Sequence, residues 1–456
     1  MLVSDQAIRT SRGRRAFHAL SPRAVRVSGL RGKPMRVLTM ILAGGKGKRL
    51  FPLTRHRTKP AVPFGGNYRL IDFVLSNLVN SGLSAIYVLV QYRSQSLIEH
   101  LRTGWRARGM TTDQFITVVP PQMRRGESWY RGSADAIAQN LNLIQTFNPD
   151  VVAVFAGDLI FRMDVTQMLA LHRRVGAEAT LVCSPVPLEE ARGRLGVVRT
   201  GRDGQIVDFV EKPERPEPMP DRPSHAMASM GCFLFEPSAL IELVVRTMSE
   251  TDRSQDLSRD VFPRFVERGR SYAYDFEENE ILGLKPYEKP GYWCDVGTIG
   301  SYWAAHMDLL GPKPPFDLRN TKWPIYPARV NMPPTTFLSA QIEDSLIGEG
   351  GRIERAAIRR CVIGRGVTIE PGAVVEDSVI MEHTRIGAGS GVRRAIVDRY
   401  NAIEAGTRLV PGEPLPDARC VLDSASGLII LPRGGVAPPP EDIPLVEAES
   451  DGVGAI

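Results

Sequence analysis

The stretch Val37-Leu38-Thr39-Met40-Ile41-Leu42-Ala43-Gly44-Gly45-Lys46-Gly47-Lys48-Arg49-Leu50 decides how the first part of this 456-residue chain folds. A short apolar run that breaks into glycines reads as a buried strand opening into a tight loop. Glycines at such a strand end let backbone N–H groups approach a polyphosphate, and the adjoining Lys and Arg neutralise its charge. The loop is not a Walker A sequence, because Arg49 follows Lys48 where Ser or Thr is needed. Nor is it a dinucleotide fingerprint, since Leu50 replaces the third glycine. By itself it is equally consistent with a Gly-rich turn carrying solvated charges.

The pattern downstream supplies the context. Ile71, Val74, Leu75 and Leu78 follow helical spacing, Ile86–Val90 reads as a strand and Ser94–Leu101 as a helix. Ile116–Val119 is another strand, Ala134–Ile144 another amphipathic helix, and Val151–Phe155 a run apolar enough for a strand buried on both faces. Asp164 with Gln167 resembles a helix-opening capping box. Strict alternation of strand and helix predicts a doubly wound, mostly parallel α/β sheet. From about Leu195 the chain becomes strand-rich, with Arg202-Asp203-Gly204 as a turn and Met230–Phe235 as a strand.

Gly157-Asp158 closes Val151–Phe155 just as Gly44-Gly45 closes Val37–Leu42. Ligands of open parallel sheets bind at the carboxyl ends of strands, so both motifs point into one crevice. A carboxylate facing a phosphate loop suits Mg²⁺, a hard cation that bridges phosphates. A helix-capping role for Asp158 is the plainer alternative.

A second period begins after a Pro-rich stretch. Ile363, Ile369, Val375 and Met381 are spaced by six, and after a slip of one Ile386 and Val392 continue the series. Gly364, Gly366, Gly372, Gly387, Gly389 and Gly391 fall between them. Short apolar strands at a six-residue step, with glycines at the corners, predict a left-handed parallel β-helix. The chain therefore divides into a basic extension (1–34), an α/β domain (35–310), a linker (311–334), a β-helix (335–434) and a polar tail (435–456). We expect the extension and tail to be disordered, with Met35 an alternative start directly before the first strand.

Charge narrows the function classes. Residues 1–36 hold nine Lys or Arg against one acid, a net +8, whereas the whole chain is +6. The other 420 residues thus carry −2, which argues against a nucleic-acid partner. No run reaches the roughly 18 apolar residues of a membrane span. Five widely spaced Cys without a CxxC fit a reducing, cytoplasmic setting and offer no metal or disulfide framework.

A closer likeness emerges when the motifs are joined. Leu42–Thr54, then Arg57, Lys59–Gly66 and Tyr68-Arg69-Leu70-Ile71-Asp72, resemble the opening of bacterial ADP-glucose pyrophosphorylases. The likeness continues through Trp129-Tyr130-Arg131-Gly132-Ser133-Ala134-Asp135, Phe209-Val210-Glu211-Lys212-Pro213, Ala228-Ser229-Met230-Gly231 and Tyr292-Trp293-Cys294-Asp295-Val296-Gly297-Thr298. It implies transfer of the adenylyl group of ATP to glucose 1-phosphate, for glycogen synthesis. Leu42, Ala43, Gly44 and Gly45 would form the nucleotide loop, with Gln122, Tyr130 and Gly132 bordering the adenine side. Arg49 and Lys59 would hold the triphosphate, and Asp158 and Asp295 would ligate Mg²⁺. Lys212 would grip the sugar's phosphate, while Glu211 and Ser229 would bind glucose hydroxyls. Basic residues between the domains (Arg57, Arg69, Arg393 and Arg394), with Gln91 as coupler, would answer small-molecule effectors. A homotetramer is implied as well.

Some positions depart from the family pattern. Leu159 stands where a His is usual, Phe233 where a sugar-site Tyr is usual, and Cys294 where an Arg is usual. His56 replaces an activator-binding Lys of some members, which leaves fructose 6-phosphate or pyruvate as candidate activators. The departures keep a regulatory or weakly catalytic subunit as the first alternative. A pyrophosphorylase using UTP or dTTP and a β-helix acyltransferase are the others.

Overall fold

The computed structural model describes residues 35–105, 114–123, 129–250, 254–328 and 330–435. The basic extension and nearly all of the tail lie outside the described residues.

The strand Val37–Leu42 is the middle of a nine-stranded sheet, paired in parallel with Ala85–Leu89 on one side and Val151–Ala156 on the other. Phe115–Val119 extends the parallel half beyond Ala85–Leu89. Because side chains alternate across a strand, Leu38 and Met40 enter one core, with Ile137, Leu240 and Phe262, while Val37 and Ile41 enter another, with Ile71, Leu97 and Leu169. Helices Ser133–Ala138 and Pro237–Met248 cover the first face, and Leu70–Asn80, Gln95–Gly104 and Val165–Arg174 the second. The other half of the sheet is mixed. His225–Phe235 runs antiparallel to both Val151–Ala156 and Ala179–Pro187, and the hairpin Val197–Thr200/Ile206–Val210 completes the edge.

Two local expectations change. The segment 134–144 is not one helix but two, Ser133–Ala138 and Leu141–Phe147. The break falls at Asn140, whose amide donates both to the Tyr130 hydroxyl (2.9 Å) and to the Ala136 carbonyl (2.8 Å). Asp164 does cap its helix through the Thr166 N–H. Gln167 does not complete a box, because its amide exchanges hydrogen bonds with the Glu280 backbone at 2.7 and 3.0 Å.

The six-residue period folds as read except at Met381. Ile363, Ile369, Val375, Ile386 and Val392 are buried inside a three-sided stack of parallel strands, whereas Ile380 fills the coil and Met381 is buried outside it in the cluster shared with the α/β domain. The register Arg352↔Thr368↔Arg385↔Ala402 advances sixteen or seventeen residues per coil. Several corners carry no glycine: Asp377, His383, Arg394 and Tyr400 all take positive φ. Gly364 and Gly387 serve another purpose, since a Cβ there would lie 2.7 and 2.5 Å from backbone nitrogens of the next coil. After Arg408–Leu409 the chain leaves the three-sided pattern, and the antiparallel ribbon Val421–Asp423/Leu428–Leu431 lies along Ala395–Val397.

The two domains share one apolar cluster in which Phe64, Tyr302 and Phe316 meet Val379, Met381 and Ile396. Trp303 donates its indole N–H to the Asp377 carbonyl (2.8 Å). Among the described residues, the segment after Gly311 has no helix or strand before Thr336, yet it is anchored. Phe316, Asp317, Asn320 and Trp323 are buried against the α/β domain, and the Trp323 indole reaches Asn77. No helix among the described residues is long and apolar enough to cross a membrane.

Candidate active site

The glycine loop leaves the centre of the sheet between two strand ends. Gly157 is tightly packed: a Cβ there would sit 3.0 Å from the Leu42 carbonyl oxygen, to which its own N–H donates at 3.0 Å. This contact lashes the Asp158 turn to the root of the loop. The loop itself is held from behind: Thr58 donates its hydroxyl to the Ala43 carbonyl (3.0 Å) and Thr54 donates to Gly47 (3.0 Å). Both contacts use carbonyls, whereas the N–H groups of Gly44, Gly45, Lys46 and Gly47 donate to no described residue. A row of unpartnered amides at a strand end is a cradle for anionic oxygen.

Opposite the loop, three charged side chains converge. The Lys59 ammonium lies 2.7 Å from Asp158 Oδ2 and 2.9 Å from Asp295 Oδ1. Asp158 ends a central strand, whereas Asp295 arrives by the short antiparallel pair Trp293–Asp295/Leu159–Phe161, which sets Asp295 directly opposite Leu159. Burial disfavours the Lys59 charge, yet the two carboxylates more than offset it and raise its pKa. Burial likewise works against the Asp295 charge, but Lys59 foremost, then Arg49 and Arg194, hold the carboxyl below its ordinary value. Arg49 lies against Gly297, where a Cβ would sit 3.2 Å from Arg49 Nη2 and 2.9 Å from Asp295 Oδ2.

The three residues expected to bind the sugar phosphate also lie near one another, around Gly196. Glu211 and Lys212 pair at 3.2 Å, and Lys212 holds φ at 53°. Burial pushes the Glu211 carboxyl up, against the pull of Lys212. Ser229 donates its N–H to the Gly196 carbonyl (2.8 Å), and Gly196 in turn abuts Glu211, whose Oε2 would lie 2.8 Å from a Cβ there.

Other expectations are placed differently. Tyr130 is 1 % exposed, its side chain in the core beneath the cleft with its hydroxyl taken by Asn140. Its backbone carbonyl instead accepts from the Gln91 amide (3.1 Å). Gln122 is exposed, and its amide donates to the Pro120 carbonyl of its own loop (2.7 Å). Gly132 is packed where a Cβ would meet the Gln255 carbonyl oxygen at 2.3 Å. The three departures from the family pattern are packing residues here. Leu159 and Phe233 are buried in the two sheet cores, and Cys294 packs against the interdomain cluster.

A second concavity, of about 290 Å³, opens between the domains and is lined by Arg69, His100, Arg365, Arg399, Tyr400 and Arg433. Arg69 is the one residue of the expected regulatory set that reaches it. Arg57 is instead fully buried in an ion pair with Asp398. Arg394 lies over the Trp303 ring and bonds Ser426, and Arg393 is exposed on another face of the helix. Gln91 is absent from the lining. Burial, then the charges of Arg57 and Arg69, depress the Arg399 guanidinium, and burial with four nearby arginines depresses His56. The cavity carries an excess of positive charge, four arginines against Glu99 and Glu382, with Arg365 paired to Glu349 at 3.1 Å and Arg399 to Glu382 at 3.8 Å. Arg365 and Arg399 come from two separate coil turns and Arg433 from the end of the terminal ribbon, and only the Asp398-Arg399 pair interrupting an apolar run hinted at them.

Both domains match known families. A nucleotidyl transferase family profile matches residues 38–311, and a GlmU-like C-terminal hexapeptide profile matches 327–431. A glucose-1-phosphate adenylyltransferase of Thermodesulfovibrio yellowstonii is 48% identical over 399 residues, covering 87% of this chain and 96% of the relative. Proteins of the same name from Anaeromyxobacter sp. (43% over 408 residues, 87% of this chain and 98% of the relative) and Corynebacterium jeikeium (45% over 372 residues, 81% and 91%) are similar.

Proposed function

Since this chain belongs to the glucose-1-phosphate adenylyltransferase family of nucleotidyl transferases, we propose that it transfers the adenylyl group of ATP to α-D-glucose 1-phosphate, giving ADP-glucose and pyrophosphate. The observation that carries the reading is Lys59 clamped between Asp158 and Asp295, facing a loop with four unpartnered amides.

A sugar phosphate is already an anion at neutral pH, so its attack on the α-phosphorus needs no general base. One P–O bond forms, the bond to the β-phosphate breaks, and pyrophosphate departs with the electron pair. Catalysis is then positioning and charge stabilisation. The Gly44–Gly47 amides and Arg49 receive the triphosphate, Lys59 offsets charge on the leaving pyrophosphate, and Lys212, Glu211 and Ser229 hold the sugar phosphate. Two carboxylates in one small space fit a Mg²⁺ that completes its oxygen shell with water and substrate phosphates. No described cluster of three or more His, Cys, Asp or Glu offers a full protein cage. When bound, Mg²⁺ would supply charge neutralisation at the α-phosphate. We assign the interdomain cavity to an anionic effector, held by Arg69, Arg365, Arg399 and Arg433. A cytoplasmic homotetramer making precursor for glycogen fits the same family reading, and exposed Phe337, Leu338 and Ile342 on the first coil offer apolar surface to a second copy.

The reverse reaction tests both sites. Purified protein given ADP-glucose, pyrophosphate and Mg²⁺ should release ATP, and chelation should stop it. Fructose 6-phosphate or pyruvate should raise the rate, with the response reduced in Arg433→Ala. No ATP release under any effector would remove the catalytic reading, and an unchanged response in Arg433→Ala would remove the cavity from regulation.

A further inference from the structure

Arg194 is a charged side chain near the cleft that no part of the mechanism above uses. It sits in the turn after the short helix Leu188–Ala191, with its N–H donating to the Ala191 carbonyl at 3.1 Å. The turn is pinned to the sugar side from two directions. Gly193 donates to the Pro213 carbonyl (2.9 Å), directly after Glu211-Lys212, and Gly196 accepts the Ser229 N–H (2.8 Å). On its other flank, Leu195 shares an apolar cluster with Trp293, two residues before Asp295. The turn that carries Arg194 therefore lies between the Glu211–Pro213 and Ser229 segments on one side and the strand that ends at Asp295 on the other.

Its guanidinium is under-used. The residue is half-buried, its Nε is shielded from solvent without a hydrogen-bond partner, and it forms no ion pair with any described acid. Lys212, the other cation on the sugar side, is engaged by Glu211 at 3.2 Å. An arginine fork with five donors and few protein acceptors suits a phosphate.

We propose that Arg194 binds the phosphate of the sugar 1-phosphate as a second cation beside Lys212 and aims its oxygen at the α-phosphorus. The inference rests on the adenylyltransferase reading. The test is the initial-rate kinetics of the full chain with Mg²⁺, comparing wild type, Arg194→Ala and Arg194→Lys, with equilibrium binding of glucose 1-phosphate in parallel. Loss of one charge-assisted hydrogen bond predicts a KM for glucose 1-phosphate about ten- to a hundred-fold higher in Arg194→Ala. The KM for ATP should stay within about twofold, and the lysine variant should recover part of the loss because it restores charge without the fork. An unchanged KM for glucose 1-phosphate, equal rises for both substrates, or no recovery with lysine would overturn the assignment. A wild type that does not consume glucose 1-phosphate would instead overturn the function itself.

Discussion

Asp158→Asn is expected to lower turnover by about a hundred- to a thousand-fold, the scale of losing one preorganised electrostatic contact at the reacting centre, with the melting midpoint almost unchanged. The substitution keeps the shape and removes the charge. Asp158 is partly exposed, its side chain retaining 26% of its accessible surface, so its pairing with Lys59 contributes little to stability. Lys59 keeps Asp295 at 2.9 Å, and the repulsion between two adjacent carboxylates is relieved. What is lost is one of only two carboxylates facing the phosphate loop. Turnover and thermal unfolding of the same preparation check both halves. Near-wild-type turnover would remove Asp158 from the mechanism, and a large fall in midpoint would make it a structural residue.

Asp398→Asn should behave the opposite way, as a stability defect of about 3–5 kcal/mol, the usual cost of removing one partner from a buried ion pair. Arg57 and Asp398 are each 1% exposed, and Arg57 Nε and Nη1 already lack partners. Burial alone would lower the Arg57 pKa, and Asp398 more than reverses this. Neutralising Asp398 strands a charge in the interdomain core. A double variant, Arg57→Met with Asp398→Leu, should regain most of the loss, since no unpaired charge remains. Denaturant unfolding of the three proteins decides it. A loss below about 1 kcal/mol in the single variant would mean that solvent reaches Arg57.

Local periodicity made much of the molecule legible. Val37–Leu42 and the six-step from Ile363 are written in consecutive residues, and one strand end beside another located Asp158 without any relative. Asp295 was not legible in that way. It meets Asp158 only because Trp293–Asp295 pairs with Leu159–Phe161, a contact between segments far apart in the chain. The same limit hid the interdomain cavity, whose arginines come from two separate coils, the terminal ribbon and the Arg69 turn. Arg57 was misplaced because a basic residue near a phosphate loop looks available, and nothing local announces Asp398. Leu159 and Phe233 looked like lost chemistry, yet their side chains are core, at 5% and 2% exposure, so they leave the carboxylate pair and the loop intact.

The central claim is adenylyl transfer to glucose 1-phosphate, and a single competition measures it. Equal concentrations of ATP, UTP, GTP and dTTP are supplied together with glucose 1-phosphate and Mg²⁺, and the sugar nucleotides are separated and weighed by mass. The account predicts ADP-glucose as the dominant product, with pyrophosphate released in equal amount. A dominant UDP- or dTDP-glucose, or no sugar nucleotide at all, would contradict it.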